Sequence, residues 1–291
     1  MTAVSARPDG PAGPYVDLHS HSTASDGSHS PTALVSAAKA AGLVAIALTD
    51  HDTMAGVPEA TAAGAALGVR VVPGVELSAN EADREVHMLG LHIERASALE
   101  DALQTFRDSR YVRAQEIIAK LNALGIPITF DEVLTVAGDA ALGRPHLARV
   151  LIEGGWARDS RDAFDRYLGA GRPAYVGKHR LSVGEAIELV HAGGGLAVLA
   201  HPGPTGRREL VERFVGLGLD GLEVRHPGHS NEDATRIGTL VEFFGLVPSG
   251  GSDWHGASDG PRVLGAMRVP LSWLEQQDAR AAARRAAHVG A

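Results

Sequence analysis

The chain of 291 residues has no cysteine, no long apolar run and no excess of positive charge. Each absence removes a class of function. Without cysteine there can be no disulfide, thiolate-bound zinc, iron–sulfur cluster or cysteine nucleophile. Any metal must therefore be held by His, Asp and Glu. The longest apolar stretch, AAGLVAIAL at 40–48, is too short to span a bilayer. The opening MTAVSARPDGPAGP is rich in Pro, Gly and small residues, so 1–13 reads as a flexible tail and not as a signal peptide. These features lead us to expect a soluble cytoplasmic protein without a membrane partner. The formal net charge of −8 argues against duplex DNA or anionic lipid, both of which are met with a basic face. A small anionic substrate is not excluded, because a bound cation reverses the local field. Hydrophobic residues make up 44% of the chain, enough for a sizeable core.

Short β-rich runs alternate with helical patterns: YVDL (15–18), LVAIAL (43–48), VRVVPG (69–74) and VHMLGLHI (86–93), then GLAVLA (195–200), DGLEV (220–224) and LVPSGG (246–251). Between the first two, SPTALVSAAKAAG carries helix punctuation: Ser30 as cap, Pro31 in the first turn and Gly42 at the end. This rhythm predicts an α/β fold with a parallel sheet and helical crossovers, and seven strands suit a barrel. The barrel would comprise 14–95 and 177–275. Residues 96–176 break the rhythm. Leu99, Leu103, Phe106, Ile117, Leu121 and Leu124 fall close to helical spacing, and RPHLARVLIEGGW and SRDAFDRYLGAG add further helical patterns, so this segment reads as an inserted helical subdomain. The last stretch, QQDARAAARRAAHVGA (276–291), reads as a solvated or frayed helix or tail.

On this strand map the ionisable residues gather at carboxyl ends. His19 and His21 follow the first strand, Asp50 and His51 the second, and Glu76 ends the third. His201 follows GLAVLA, Glu223 lies in GLEV, and Asp253 and His255 follow LVPSGG. In parallel barrels that rim is where active sites are assembled. The His-x-His spacing of 19 and 21 puts both imidazoles on one side of an extended segment, and Asp-x-His at 253 and 255 repeats the geometry. Asp26, in SDGS, suits either a turn cap or a ligand. Asp50 and Asp52 flank His51 and could orient imidazoles. Glu76 would be costly to bury unpaired. His87 and His92 are five residues apart and face opposite sides of a strand, so at most one belongs to the site. His179, His191 and His288 read as non-ligands, as do His226 and His229, although the last two lie close enough to the rim to touch substrate.

The motifs DLHSHSTASDG, TDHD, GVELS, VHMLG, AHP and GGSDWHG, in this order, resemble the polymerase and histidinol phosphatase (PHP) superfamily of metal-dependent phosphoesterases. The resemblance implies a distorted seven-stranded β/α barrel holding three metals. One would be bound by His19, His21, Glu76 and Asp253, a second by Asp26, His51 and His201, and a third by Glu76, His87 and His255, with Glu76 bridging. GRPHLARVL and YLGAGRPAYVGKHRLSVGEAI are similar to the branch that removes phosphate from nucleoside 3',5'-bisphosphates and trims short RNA from its 5' end. Arg225 and His226 depart from the aromatic pair expected in LEVRHPGHS.

Nitrogen and oxygen donors with this many imidazoles suit Mn²⁺, then Zn²⁺ or Fe²⁺, over Mg²⁺ or Ca²⁺. Such ions would provide a metal-bridging hydroxide at neutral pH and offset phosphoryl charge. The reading is thus a metal-dependent phosphomonoesterase acting on a small nucleotide or short oligoribonucleotide. A clamp for a second phosphate is sought among Arg144, Lys178 and Arg180, because basic side chains, Arg above all, pair with phosphate oxygens. His146 and His229 are further candidate substrate contacts, and the insertion is expected to cover the barrel mouth. The rival readings are a histidinol-phosphate-type phosphatase, a metal-dependent amidohydrolase and a non-catalytic nucleotide-binding module. The oligomeric state is left open.

Overall fold

The computed structural model describes residues 13–82, 84–137, 142–177 and 181–289. The chain divides into two compact units, one formed by residues up to Asp101 and from Leu181 onward, the other by Ala102–Arg180. In chain order the elements are β1 (Tyr15–Asp17), α1 (Pro31–Ala40), β2 (Ala45–Leu48), α2 (Val57–Leu67), β3 (Arg70–Glu81), β4 (Arg84–Leu91), α3 (Ala96–Ala123), α4 (Phe130–Ala137), α5 (Arg144–Glu153) and α6 (Ser160–Ala163). They continue with β5 (Leu181–Ser182), α7 (Val183–Ala192), β6 (Leu196–Leu199), α8 (Arg208–Gly216), β7 (Gly221–Arg225), α9 (Asn231–Phe244), β8 (Val247–Gly250), β9 (Val269–Pro270) and α10 (Leu271–Val289).

In the first unit the sheet runs β8-β7-β6-β4-β3-β2-β1-β9, with β5 pairing to β3 off this path. The ends of the path meet. Beyond β1 the chain stays extended, and Leu18 N donates to Gly250 O at 3.0 Å, Asp253 N to His19 O at 2.9 Å and His21 N to Trp254 O at 2.9 Å. This seam nearly closes the sheet into a barrel. It needs a glycine: a Cβ on Gly251 would lie 2.4 Å from His19 N.

The strands β1, β2 and β3 pair in parallel, as do β6, β7 and β8. β4 departs from the all-parallel expectation, because it is antiparallel to both β3 and β6. The cause is connection length. Glu81 pairs with Arg84, so β3 and β4 form a tight hairpin, and only a connection of a dozen or more residues can return a strand in parallel.

The parallel strands read as continuous apolar runs because both of their faces are covered. All of β2, AIAL, is buried. The barrel core includes Val16, Leu18, Ala45, Ala47, Leu89, Leu91, Val198 and Leu274. Leu274 lies on α10, and the segment from 276, read as solvated or frayed, continues the same helix with Gln277 and Ala281 buried. Leu274, Gln277 and Ala281 form a buried stripe at helical spacing. Gln277 Nε2 donates to Pro248 O at 2.8 Å, Arg70 Nη1 to Asp278 at 2.7 Å and Arg284 Nη1 to Asp220 at 2.8 Å. An amide and one alanine make up most of that stripe, so hydropathy alone does not mark it.

The second unit has a core of its own, with Ile117, Leu121, Val133, Leu147, Leu151 and Leu168 buried together. Of the spaced residues read from the sequence, Leu124 faces solvent. Among the described residues no helix is long and apolar enough to cross a membrane.

If α10 is part of the barrel core, Leu274→Ala should destabilise the protein by about 2–4 kcal/mol through lost burial and a residual cavity. Urea unfolding checks this, and a change within error would show that the helix packs only peripherally.

Candidate metal centre

The site is built around one carboxylate. Glu76, on β3, is 1% exposed. Its Oε2 lies 3.1 Å from His19 Nε2, 3.2 Å from His21 Nε2 and 3.4 Å from His51 Nδ1. Its Oε1 lies 2.8 Å from His87 Nδ1 and 2.9 Å from His201 Nε2. The imidazoles arrive from four segments: the seam after β1, β4, and the loops that follow β2 and β6. His19 and His21 share one side of the extended seam, while Ser20 between them turns away and donates from Oγ to Ala47 O at 2.6 Å. His51 follows β2 and bridges to Glu76 in parallel. His87 lies on β4 diagonally from Glu76, whose direct partner is Leu89, so both project from the same face.

Asp26 reaches the cluster from a turn in which Gly27 N donates to Ser22 O at 2.9 Å. A Cβ on Gly27 would lie 2.4 Å from His21 O, so no larger residue fits that turn. The Asp26 carboxylate is 3.2 Å from His255 Nε2, 3.7 Å from His21 Nδ1 and 3.8 Å from His51 Nε2. Asp253 presents Oδ1 at 3.3 Å from His21 Nε2 and 3.5 Å from His19 Nε2. His201 and Asp253 both have positive φ, 26° and 51°. Such backbone costs of order 1–3 kcal/mol per residue and gathers at functional sites.

Burial alone would raise the Glu76 carboxyl, but the surrounding imidazoles, His19 foremost, hold it well below its ordinary value. Burial would likewise lower His19, yet Glu76 and Glu223 outweigh it and hold the ring well above its usual range. At His87 burial is again outweighed, chiefly by Glu76, and the ring is raised to about 9. Asp253 is pulled far down against burial, first by His21 and then by His226. The pocket thus strongly favours positive charge among its carboxylates, supplied by protons or by a cation.

Two observations favour a cation. Both ring nitrogens of His21 and Nδ1 of His51 are buried without a hydrogen-bond partner among the described residues. Moreover, His19 faces carboxylates through both nitrogens, Glu223 Oε1 at 3.0 Å from Nδ1 and Glu76 at Nε2. A neutral imidazole has one N–H. With that proton on Nδ1 toward Glu223, Nε2 is left as a lone pair directed at the cluster, the arrangement by which a carboxylate orients a metal-binding histidine. His255 is similar: Nδ1 donates to Asp253 O at 2.9 Å and leaves Nε2 toward Asp26.

The donor atoms fall into groups able to hold an ion: His19, His21, Glu76 and Asp253; His21, Asp26, His51 and His255; and His51, Glu76 and His87. Two histidines exchange places relative to the grouping expected above. His255 stands with Asp26 and His51, whereas His201 stands at Glu76, its ring 5.1 Å from that of His87. The exchange follows from barrel order. His255 leaves β8 at the seam beside the segment carrying His21 and Asp26, while His201 leaves β6, the neighbour of β4.

The other expected residues are placed differently. His229 lines the cavity, but Nδ1 donates to Val224 O at 2.9 Å and Nε2 accepts from Gly203 N at 3.1 Å, so both nitrogens serve the backbone. In the second unit Arg144 donates to Leu168 O at 3.1 Å and lies over the Phe164 and Tyr175 rings, and His146 Nδ1 accepts from Gly143 N at the start of α5. Lys178 and Arg180 lie outside the described residues. Asp50 accepts from Ser22 N, Ser22 Oγ and Ser25 Oγ, and Asp52 from Ser78 N, so these carboxylates brace loops. His92 turns away to Gln277 at 3.2 Å.

Sequence reasoning placed Glu223 at the rim without a role and His226 near enough to touch substrate, and it missed Asp17 and Arg262. Glu223 is fully buried, holding His19 through Oε1 and the His201 N–H through Oε2 at 2.7 Å. Its position in a strand end was the available sign. Asp17 is buried beneath the seam, accepting from Ser252 N and Gly265 N. His226 and Arg262 both meet Asp253 Oδ2, the former at 3.3 Å. Arg262 sits in a long loop after β8, where no motif marks it.

Residues 17–170 match the PHP domain. Over 265 residues, 89% of this chain and 92% of the relative, the sequence is 40% identical to a 5'-3' exoribonuclease of Haemophilus influenzae. It is 37% identical over 257 residues, 86% and 90% of the two chains, to a 3',5'-nucleoside bisphosphate phosphatase of Chromobacterium violaceum. A crystal structure from Bifidobacterium adolescentis, put forward as a metal-dependent phosphoesterase, superposes with a TM-score of 0.66 at 33% identity, covering 94% of this chain and 98% of the other.

Two outcomes test the centre. Glu223→Gln should weaken Mn²⁺ binding by about 10- to 100-fold through loss of the carboxylate that orients His19, with the fold retained by circular dichroism; an unchanged affinity by calorimetry would contradict that role. Because His87 keeps its proton up to about pH 9 without metal, binding must expel it. Affinity for Mn²⁺ measured anaerobically should therefore climb from pH 6 towards 9 and level off above, and a flat profile below pH 9 would count against His87 as a ligand.

Proposed function

This chain belongs to the PHP-domain family, and on that premise we propose that it is a phosphomonoesterase acting on nucleoside 3',5'-bisphosphates and on the 5' ends of short oligoribonucleotides. It is a hydrolase of phosphoester bonds with a divalent-metal site. The finer reading rests chiefly on one observation: a cavity of about 480 Å³ opens directly onto the Glu76 cluster, with His51, His87, His201, Asp253 and His255 in its wall. That volume suits a nucleotide-sized ligand. The substrate class follows the activities named for the relatives from Haemophilus and Chromobacterium.

Three ions are proposed, one for each group of donors, with Mn²⁺ favoured over Zn²⁺ or Fe²⁺ by the imidazole-rich nitrogen and oxygen set. When bound, such ions lower the pKa of a coordinated water from about 15.7 towards 7 and offset charge on phosphoryl oxygens. The protein's own residues do the positioning. Glu223 fixes the His19 tautomer, the His255 N–H to Asp253 O fixes the second ring, and the hairpin holds Glu76 and His87 on one face. The three serine hydroxyls of the opening motif are engaged by the fold: Ser20 is bonded to Ala47 O, and Ser22 and Ser25 to Asp50. Water is therefore the nucleophile in this reading.

Mn²⁺-loaded protein should release phosphate from adenosine 3',5'-bisphosphate and, by hydrolysing the first internucleotide phosphodiester with water, a nucleotide from a 5'-phosphorylated oligoribonucleotide, and do so faster than it releases phosphate from histidinol phosphate. Phosphate and ammonia release across these substrates and an amide panel measures it. Ammonia without phosphate, or bisphosphate binding without product, would overturn the proposal.

A further inference from the structure

We propose that Arg262 contacts the phosphoryl group being hydrolysed, an inference that rests on the phosphomonoesterase reading. A phosphate monoester carries its charge on oxygens that a metal cluster offsets only in part, and a guanidinium is the side chain best shaped to take the remaining oxygens. Among the described residues the cavity wall contains no other lysine or arginine. Neighbouring basic groups are committed elsewhere: Arg225 donates to Met267 O and lies over the Trp273 ring, and Arg236 is bound to Gly203 O and Asp233.

The position of Arg262 is set by Asp253. Its Nη1 pairs with Asp253 Oδ2 and lies 3.2 Å from Asp253 O, while Asp253 Oδ1 faces His19 and His21. The guanidinium therefore stands one carboxylate away from the metal-binding cluster. It is close enough to meet a phosphoryl group held there, in preference to a second phosphate elsewhere on the nucleotide. Its side chain is 47% exposed, and Nε and Nη2 make no hydrogen bond to described residues, so part of the planar fork remains available. His226 Nε2 holds the same Oδ2 independently: its Nδ1 accepts from Gly228 N at 3.0 Å, which leaves the proton on Nε2. Asp253 thus keeps a partner if Arg262 turns to an anion.

The test is Arg262→Gln in the full chain, reconstituted with Mn²⁺. Inorganic phosphate binding, measured by calorimetry, should weaken by roughly 10- to 100-fold, as expected for loss of charge-assisted hydrogen bonds. Bound manganese, measured by mass spectrometry, should stay at the wild-type amount. The loss in kcat/KM should be of the same size for AMP and for adenosine 3',5'-bisphosphate, and Arg262→Lys should restore part of it. Equal phosphate affinity in variant and wild type would overturn the inference and leave the wider reading intact. A loss confined to the bisphosphate would also overturn it, assigning Arg262 to the second phosphate. Loss of manganese with unchanged phosphate affinity after saturation would make Arg262 only a support for Asp253. If wild-type protein hydrolyses neither ester, the phosphomonoesterase reading itself fails.

Discussion

A carboxylate buried in a barrel needs opposite charge brought to it from several directions, and Glu76 imposes that demand here. Removing such an ion from water costs several kcal/mol even after relaxation, and the cost is met only when other groups converge with good geometry. His19, His21, His51, His87 and His201 do so from the seam and from the ends of β2, β4 and β6. No single strand could supply them, because alternate residues point to opposite sides. The barrel brings distant segments to one rim, and the turn at Asp26, the hairpin and the strained backbone at His201 and Asp253 all serve that convergence.

The support around the donors is as specific as the donors. Glu223 works through His19 and the His201 amide, and Asp17 ties the start of the seam to the loops at Ser252 and Gly265. Asp253 divides its two oxygens, one towards imidazoles and one towards His226 and Arg262. That division keeps the carboxylate from rotating and so fixes which oxygen the cluster sees.

The strand rhythm and the register of polar residues at strand ends carried most of the fold and most of the side chains that gather around Glu76, because period and position survive in a linear chain. The antiparallel β4 was also visible in principle, in the short link between β3 and β4. Neighbour relations around the ring were not. Whether His201 or His255 stands beside Asp26 depends on which strands adjoin, and sequence order does not state that. Arg262 and the buried face of α10 escaped for a related reason: a single basic residue in a loop has no period, and in the helix Gln277 and Ala281 have no hydropathy that distinguishes them from surface. Lone arginines and histidines such as Arg144, His146 and His229 matched the expected chemistry by type, but their hydrogen bonds are to nearby backbone.

The seam between the extension of β1 and the loop after β8 links residues more than two hundred positions apart in the chain. Contacts of that separation are reached late in folding, since the loop-closure entropy must be met before they contribute. His19, His21 and Asp253 lie in this seam. Joining the two ends of the sheet and assembling the donor group are therefore one event. An ion captured there would act as a late-forming clasp, holding the first and last parts of the barrel together and slowing its opening more than it speeds its formation.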